Sequence, residues 1–283
     1  MLDKRISRRR MLGAGAVLAA GAAATGCGTT PITSVAQAET SAAPATSAPL
    51  APVSATPTAV AARHARLRPQ RWGVDMPGIT STFTAAGKQM ALTFDACGGP
   101  GNNDIDESLM NFLIAERIPA TLFLNKRWID ANRARAAQLA ANPLFELANH
   151  GVAHKPLSVN GRAAYGIAGT GSAQEAADEV WANHELLSAL TGRPPRFFRA
   201  GTAHYDDVAV SVVRELGEIP VGFSINADFG ATASATEVQS AMNAVAPGAI
   251  SLAHMHRPHS GTAAGMIAAL PRIRAMGYTF VHL

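Results

Sequence analysis

From about Arg71 onward, short continuous apolar runs alternate with longer amphipathic stretches. "QMALTFD" (89–95), "ATLFLN" (120–125), "LFELANH" (144–150), "RFFRA" (196–200), "PVGFSIN" (220–226), "AISLAH" (249–254) and "YTFVHL" (278–283) have the length and apolar continuity of buried strands. Between them, helical periodicity runs near Asp106–Arg117, Asp130–Ala141, Ala173–Leu190, Asp206–Leu216, Thr236–Val245 and Thr262–Ala275. Gly192 lies just beyond the third of these, and Pro247-Gly248 stops the fifth. Seven strands alternating with six helices predict an α/β fold, a parallel sheet covered on both faces and either open or closed into a barrel. The segment "NGRAAYGIAGTGS" (160–172) is too long for a simple connector and reads as a lid or substrate wall, or else as a disordered excursion.

Upstream the pattern is absent. Residues 28–70 are Ala, Pro, Ser and Thr with few large apolar side chains, which predicts a disordered linker. Residues 1–27 read as an export signal: "SRRRMLGAGAVLAAGAAATGC" has a basic stretch, an apolar run and small residues. Its Ser-Arg-Arg setting resembles a twin-arginine signal, and Ala24-Thr25-Gly26-Cys27 resembles a lipoprotein cleavage site. The expected product is exported to the cell envelope or beyond it, either lipid-anchored through Cys27 or released by ordinary cleavage. Residues 71–283 form the expected catalytic domain.

Charge changes the picture once it is divided. The chain carries +4 overall. Residues 1–70 hold eight Lys/Arg against two Asp/Glu, and residues 71–283 hold sixteen against eighteen. The basic character therefore belongs to the leader and linker, and nucleic acid is excluded as an expected partner of the folded part. Cys97 is the only cysteine besides Cys27, so a mature chain without a free Cys27 has no internal disulfide. Burial as a small hydrophobe is the expectation for Cys97, with metal binding beside Asp95 as the alternative. A monomer is expected.

The candidate chemistry collects at one edge. Asp95, His150, Arg199, Asp228 and His254 all stand at or just beyond the C-terminal end of an expected strand, the edge where α/β folds build their sites. His150 and His154 are four apart, a spacing that on one helical turn aims both imidazoles at one metal ion. Arg199 is expected to pair with Asp95 and hold it ionised. Asp228 is a further partner for Arg199. His254 suits a general acid. His256 and His259 are expected to be solvated in the following loop, and His204 and Tyr205 to cap the next helix.

These residues together resemble the polysaccharide deacetylase family. "TFDA" is similar to its first motif, Thr-Phe-Asp-Asp, "HGVAH" to its second, and "ISLAH" to its fifth; "FRAGTAHY" and "NADFG" are looser counterparts of the third and fourth. The resemblance spans about Lys88 to Leu283. It implies a distorted (β/α) barrel of about seven parallel strands and removal of acetyl groups from N-acetylglucosamine units of chitin-like polymers or peptidoglycan. It also implies a divalent metal, commonly zinc, held by His150 and His154. Asp95 would be the catalytic base, His254 the acid, and Arg199 and Asp228 their tuning partners. The family's third metal ligand is the second Asp of the first motif, where this chain has Ala96. Asp104, Asp106, Cys97 and Asp95 itself are the candidate replacements, with a carboxylate expected. A catalytically inactive glycan-binding module and an amide hydrolase for another substrate are the competing functions.

Overall fold

The computed structural model describes residues 56–283. The export segment, Cys27 and the linker as far as residue 55 lie outside the described residues. In chain order the elements are α1 Pro57–His64, β1 Trp72–Gly73, β2 Gln89–Ala96, α2 Glu107–Ala115, β3 Ala120–Leu124, α3 Lys126–Ala131, α4 Arg133–Ala141 and β4 Phe145–Asn149. They continue with α5 Ala173–Thr191, β5 Phe197–Phe198, β6 Tyr205–Asp206, α6 Asp207–Glu215, β7 Ile219–Pro220, β8 Ile225–Asn226, α7 Ala235–Met242, β9 Ala249–His254, α8 Thr262–Ala275 and β10 Thr279–Val281.

The parallel sheet runs β7-β5-β4-β3-β2-β9-β8, with β10 pairing β2 at its start. It curls into a half-barrel. The expected fifth strand is two short ones. Ile219–Pro220 pairs with β5, and Ile225–Asn226 pairs with β9 at the other end of the order. One segment thus touches both edges, which a single straight strand could not do. β2 is the axis of the sheet and is buried almost throughout. A large apolar cluster lies between the sheet and α2, α7 and α8, and a second packs α1, α5 and α6 together.

Two further expectations are corrected. The linker does not extend to residue 70: α1 starts on Thr56, whose hydroxyl accepts from Ala59 N–H, with Pro57 in the first turn. Val60 and Ala61 are buried in the second cluster, and Arg63 and His64 both bind Glu215. The expected helix at 130–141 is two helices divided at Asn132, whose side-chain amide donates to Asn103 O and Trp128 O. Among the described residues, no helix is long and apolar enough to cross a membrane.

Candidate active site

Strand alternation arranges the centre of the site. Thr93 and Asp95 face the barrel interior, where Arg199 Nη1 donates to both, at 2.9 Å and 2.7 Å. Phe94 and Ala96 face the opposite way, into the core beneath the helices. The next residue on the interior side is Cys97, not Ala96. Arg199 is fully buried. Its Nη2 donates to Gly222 O at 2.9 Å and its guanidinium lies 4.1 Å from the Phe123 ring centre. The expected Asp95–Arg199 pair is present, and Asp228 takes no part in it.

His150 follows the last residue of β4 and reaches the same place. Its Nδ1 donates to Arg199 O at 2.8 Å, which leaves Nε2 with its lone pair toward the interior. That Nε2 is 3.6 Å from Asp95 Oδ2 and 3.8 Å from Cys97 Sγ. Burial pushes the His150 pKa down to about 3, and burial with the neighbouring His150 holds His154 well below the usual imidazole range. Both rings are therefore neutral and able to ligate at ordinary pH. The rings meet edge to face at 4.8 Å.

The pair is not carried on a helical turn. Gly151 and His154 take left-handed backbone angles, φ +76° and +59°. Glu179 holds this loop from α5: its carboxylate accepts from the N–H groups of Val152 (3.1 Å), Ala153 (2.9 Å) and Lys155 (3.2 Å). Gly201 packs against the same loop so closely that a Cβ there would stand 2.2 Å from His154 O. Sequence reasoning passed over Glu179 because nothing in a single helical pattern marks an acidic residue as facing inward.

His254 ends β9. Asp228 accepts from its Nδ1 at 2.8 Å and from its backbone N–H at 2.7 Å, and from Thr262 Oγ1 at 2.8 Å. Burial opposes charge on His254, but the Asp228 carboxylate, followed by the Cys97 sulfur, outweighs it and raises the imidazole pKa well above its ordinary value. Asp228 is correspondingly lowered despite its burial. His256 is buried rather than solvated, its Nδ1 3.2 Å from Asp95 O, and burial pushes its pKa down to about 4. His259 is exposed as expected. His204 and Tyr205 do not cap α6; Asp206 does. Tyr205 is buried and accepts from Ala200 N–H, while His204 lies against Trp72 and Tyr165.

Two of the candidate metal ligands are elsewhere. Asp106 caps α2 by accepting from Leu109 N–H at 3.1 Å. Asp104 is exposed, and its carbonyl accepts from Trp128 Nε1. The ligand atoms of Cys97, His150 and His154 instead lie within 4.8 Å of one another, the one such group of three among the described residues. Two neutral imidazoles and a sulfur are a donor set that suits a zinc-like ion. Of the four candidate third ligands, Cys97 belongs to this group and Asp95 stands beside it, its Oδ2 3.6 Å from His150 Nε2.

A cavity of about 730 Å³ opens onto Cys97 and His154. Asp95, Cys97, His154 and His254 line its floor, and Tyr165 and Phe229 belong to its wall. Tyr165 comes from the 160–172 segment, which is ordered by Thr170 Oγ1 and by backbone bonds at Gly161 and Thr170. The substrate-wall reading of that segment therefore agrees with its place in the structure.

Residues 84–219 match the family model described as polysaccharide deacetylase. A family 4 carbohydrate esterase pseudoenzyme from Bacillus anthracis is similar in structure, at 19% identity over 74% of this chain and 68% of that one, with a TM-score of 0.61. A peptidoglycan N-acetylglucosamine deacetylase gives 20% identity, 73% and 91% coverage and a TM-score of 0.60. An acetyl xylan esterase from Clostridium thermocellum, in complex with a cobalt ion, gives 20%, 69% and 88%, and 0.57. Comparison with curated protein sequences gave no match.

Proposed function

We propose, from the premise that this chain belongs to the polysaccharide deacetylase family, that it is an exported, metal-dependent hydrolase of the N-acetyl groups of N-acetylglucosamine units in a cell-wall or chitin-like polysaccharide. The observation that carries the reading is the pairing of two opposite functions on one cavity. Asp95 is held by Arg199 and His254 by Asp228, beside the two neutral imidazoles of His150 and His154.

Each residue then has a defined task. Arg199 fixes Asp95 Oδ1 and leaves Oδ2 toward the cavity. Asp95 takes a proton from water as the water oxygen bonds to the acetamide carbonyl carbon. His254, kept protonated by Asp228, gives its proton to the amide nitrogen as the C–N bond breaks. Acetate and a free amino sugar leave. His150 and His154 would hold the metal, which when bound supplies Lewis-acid polarisation of the carbonyl and acidifies water. Tyr165 and Phe229, 83% and 57% exposed, offer ring faces to the apolar faces of sugar units.

Acetate release from N-acetylglucosamine oligomers and from peptidoglycan, with and without a chelator, tests the reading. Chelator-sensitive acetate is the expected result. Glycan binding with no acetate, even after zinc is added, would replace it with the non-catalytic binding module, the reading that Ala96 favours. Acetate release indifferent to chelator would remove the metal from the proposal.

A further inference from the structure

We infer that Cys97 is the third protein ligand of the metal, a thiolate that stands in for the carboxylate missing at position 96. The inference rests on the proposed hydrolase for the role of the two histidines, and deepens it by defining the site as one sulfur and two imidazole nitrogens.

Four observations carry it. The ligand atoms of Cys97, His150 and His154 converge within 4.8 Å, and Cys97 Sγ is 3.8 Å from the His150 nitrogen left free by the bond to Arg199 O. Cys97 is on the interior side of β2, two residues after Asp95, whereas Ala96 is fully buried on the other side. Any side chain at 96 in this conformation points into the core. Among the other acids, Asp106 caps α2, Asp104 is exposed, and Asp95 has Oδ1 on Arg199 Nη1 at 2.7 Å, which leaves it Oδ2 alone, the oxygen of the proposed base. Finally, the chain after Cys97 is fixed. Arg127 Nη2 donates to Cys97 O, and Gly98 adopts φ +66° where a Cβ would stand 2.4 Å from Trp128 N.

With sulfur supplying the anionic ligand, Asp95 is not needed on the metal and keeps its carboxylate for proton transfer. Binding a divalent cation M²⁺ replaces the thiol proton: the S–H bond breaks, an S–M bond forms and one proton is released. A thiolate beside two imidazoles favours zinc or cobalt over manganese or magnesium, which prefer oxygen.

The test uses the full chain carrying Cys27→Ser, so that Cys97 is its sole thiol. The protein is stripped of metal and titrated with cobalt(II) chloride. One equivalent is expected to bind and to give a near-ultraviolet thiolate-to-cobalt charge-transfer band. Cys97→Ser is expected to abolish the band and weaken cobalt binding at least tenfold, and Cys97→Asp to bind cobalt without the band. Zinc is expected to protect Cys97 from alkylation by iodoacetamide in the same Cys27→Ser chain, a measurement that needs no change at Cys97. A bound cobalt ion with no such band, or alkylation at the same rate with and without zinc, overturns the assignment. Chelator-sensitive acetate release without the band would leave the hydrolase standing and pass the third position to Asp95. The band without acetate would confirm the thiolate site and sink the hydrolase.

Discussion

Glu179 shows what one buried carboxylate can do for a site it does not touch. It gathers the N–H groups of three residues in the loop that carries His150 and His154. Burial raises its pKa, and these N–H donors work in the opposite direction. Glu179→Gln keeps one acceptor oxygen but turns an NH₂ group toward the same donors. We expect metal affinity to fall roughly 10–100-fold, as for other groups that orient ligands from behind. Competition of the apo variant with a chromophoric chelator measures it, and restored affinity in Glu179→Asp would show that the carboxylate itself matters. Unchanged affinity in Glu179→Gln would make the residue a helix-to-loop fastener only. At this scale much of the site was legible in the sequence. Asp95, His150, Arg199, Asp228 and His254 stand out as polar residues at the ends of apolar runs, and His154 by its spacing of four from His150. Composition ranks a carboxylate above Cys97, although a period of two from Asp95 places Cys97 on the same side of the strand. His256 was assigned to solvent because its loop composition conceals the fold of that loop back against β2, where Met255 N–H donates to Asp95 O.

Among the elements, those with continuous apolar runs were recovered, and those made by tertiary context were not. The break in the fifth strand follows from closure of the sheet: Val221 N–H donates to Phe198 O, and Ala227 N–H to Leu252 O, so the two ends serve opposite edges. α1 escaped notice because an eight-residue helix is hidden in a low-complexity average. Its stability comes from docking, since so short a helix is marginal alone. Val60 has no solvent exposure and belongs to the cluster that packs α1 with α5 and α6. Val60→Asp in the full chain should place an unpaired carboxylate there or detach the helix. A loss of about 3 kcal/mol is the expected scale, and roughly 6–12 °C in Tm. Differential scanning calorimetry decides it; a Tm unchanged from the parent would mean that α1 contributes no docking energy.

Across the whole molecule, the layer of helices and the sheet meet in a buried polar network that the proposed chemistry does not use. Asn149, at the end of β4, donates to Glu218 Oε1 at 2.9 Å and accepts from Asn183 of α5. His184, one residue further along α5, stands 2.7 Å from the same Glu218 oxygen and stacks on Trp181. Burial pushes the Glu218 pKa up to about 7, with His184 and Asn149 opposing it. Among the described residues, His184 is the one titratable group that acts on it. The folded chain therefore holds a proton between about pH 4.5 and 7 that the unfolded chain has released. Stability from this group is complete below the unfolded value and declines as pH rises through the folded one. The difference corresponds to about 3 kcal/mol across the window. Glu218→Gln imitates the protonated form and has no proton to lose. Urea unfolding of both proteins at pH 5, 6, 7 and 8 should show the variant gaining on the parent from pH 5 to 7 and holding a constant lead above it. A difference that does not change with pH would mean that Glu218 is ionised throughout as a partner of protonated His184, and that the network binds helix to sheet as an ion pair rather than as a neutral acid.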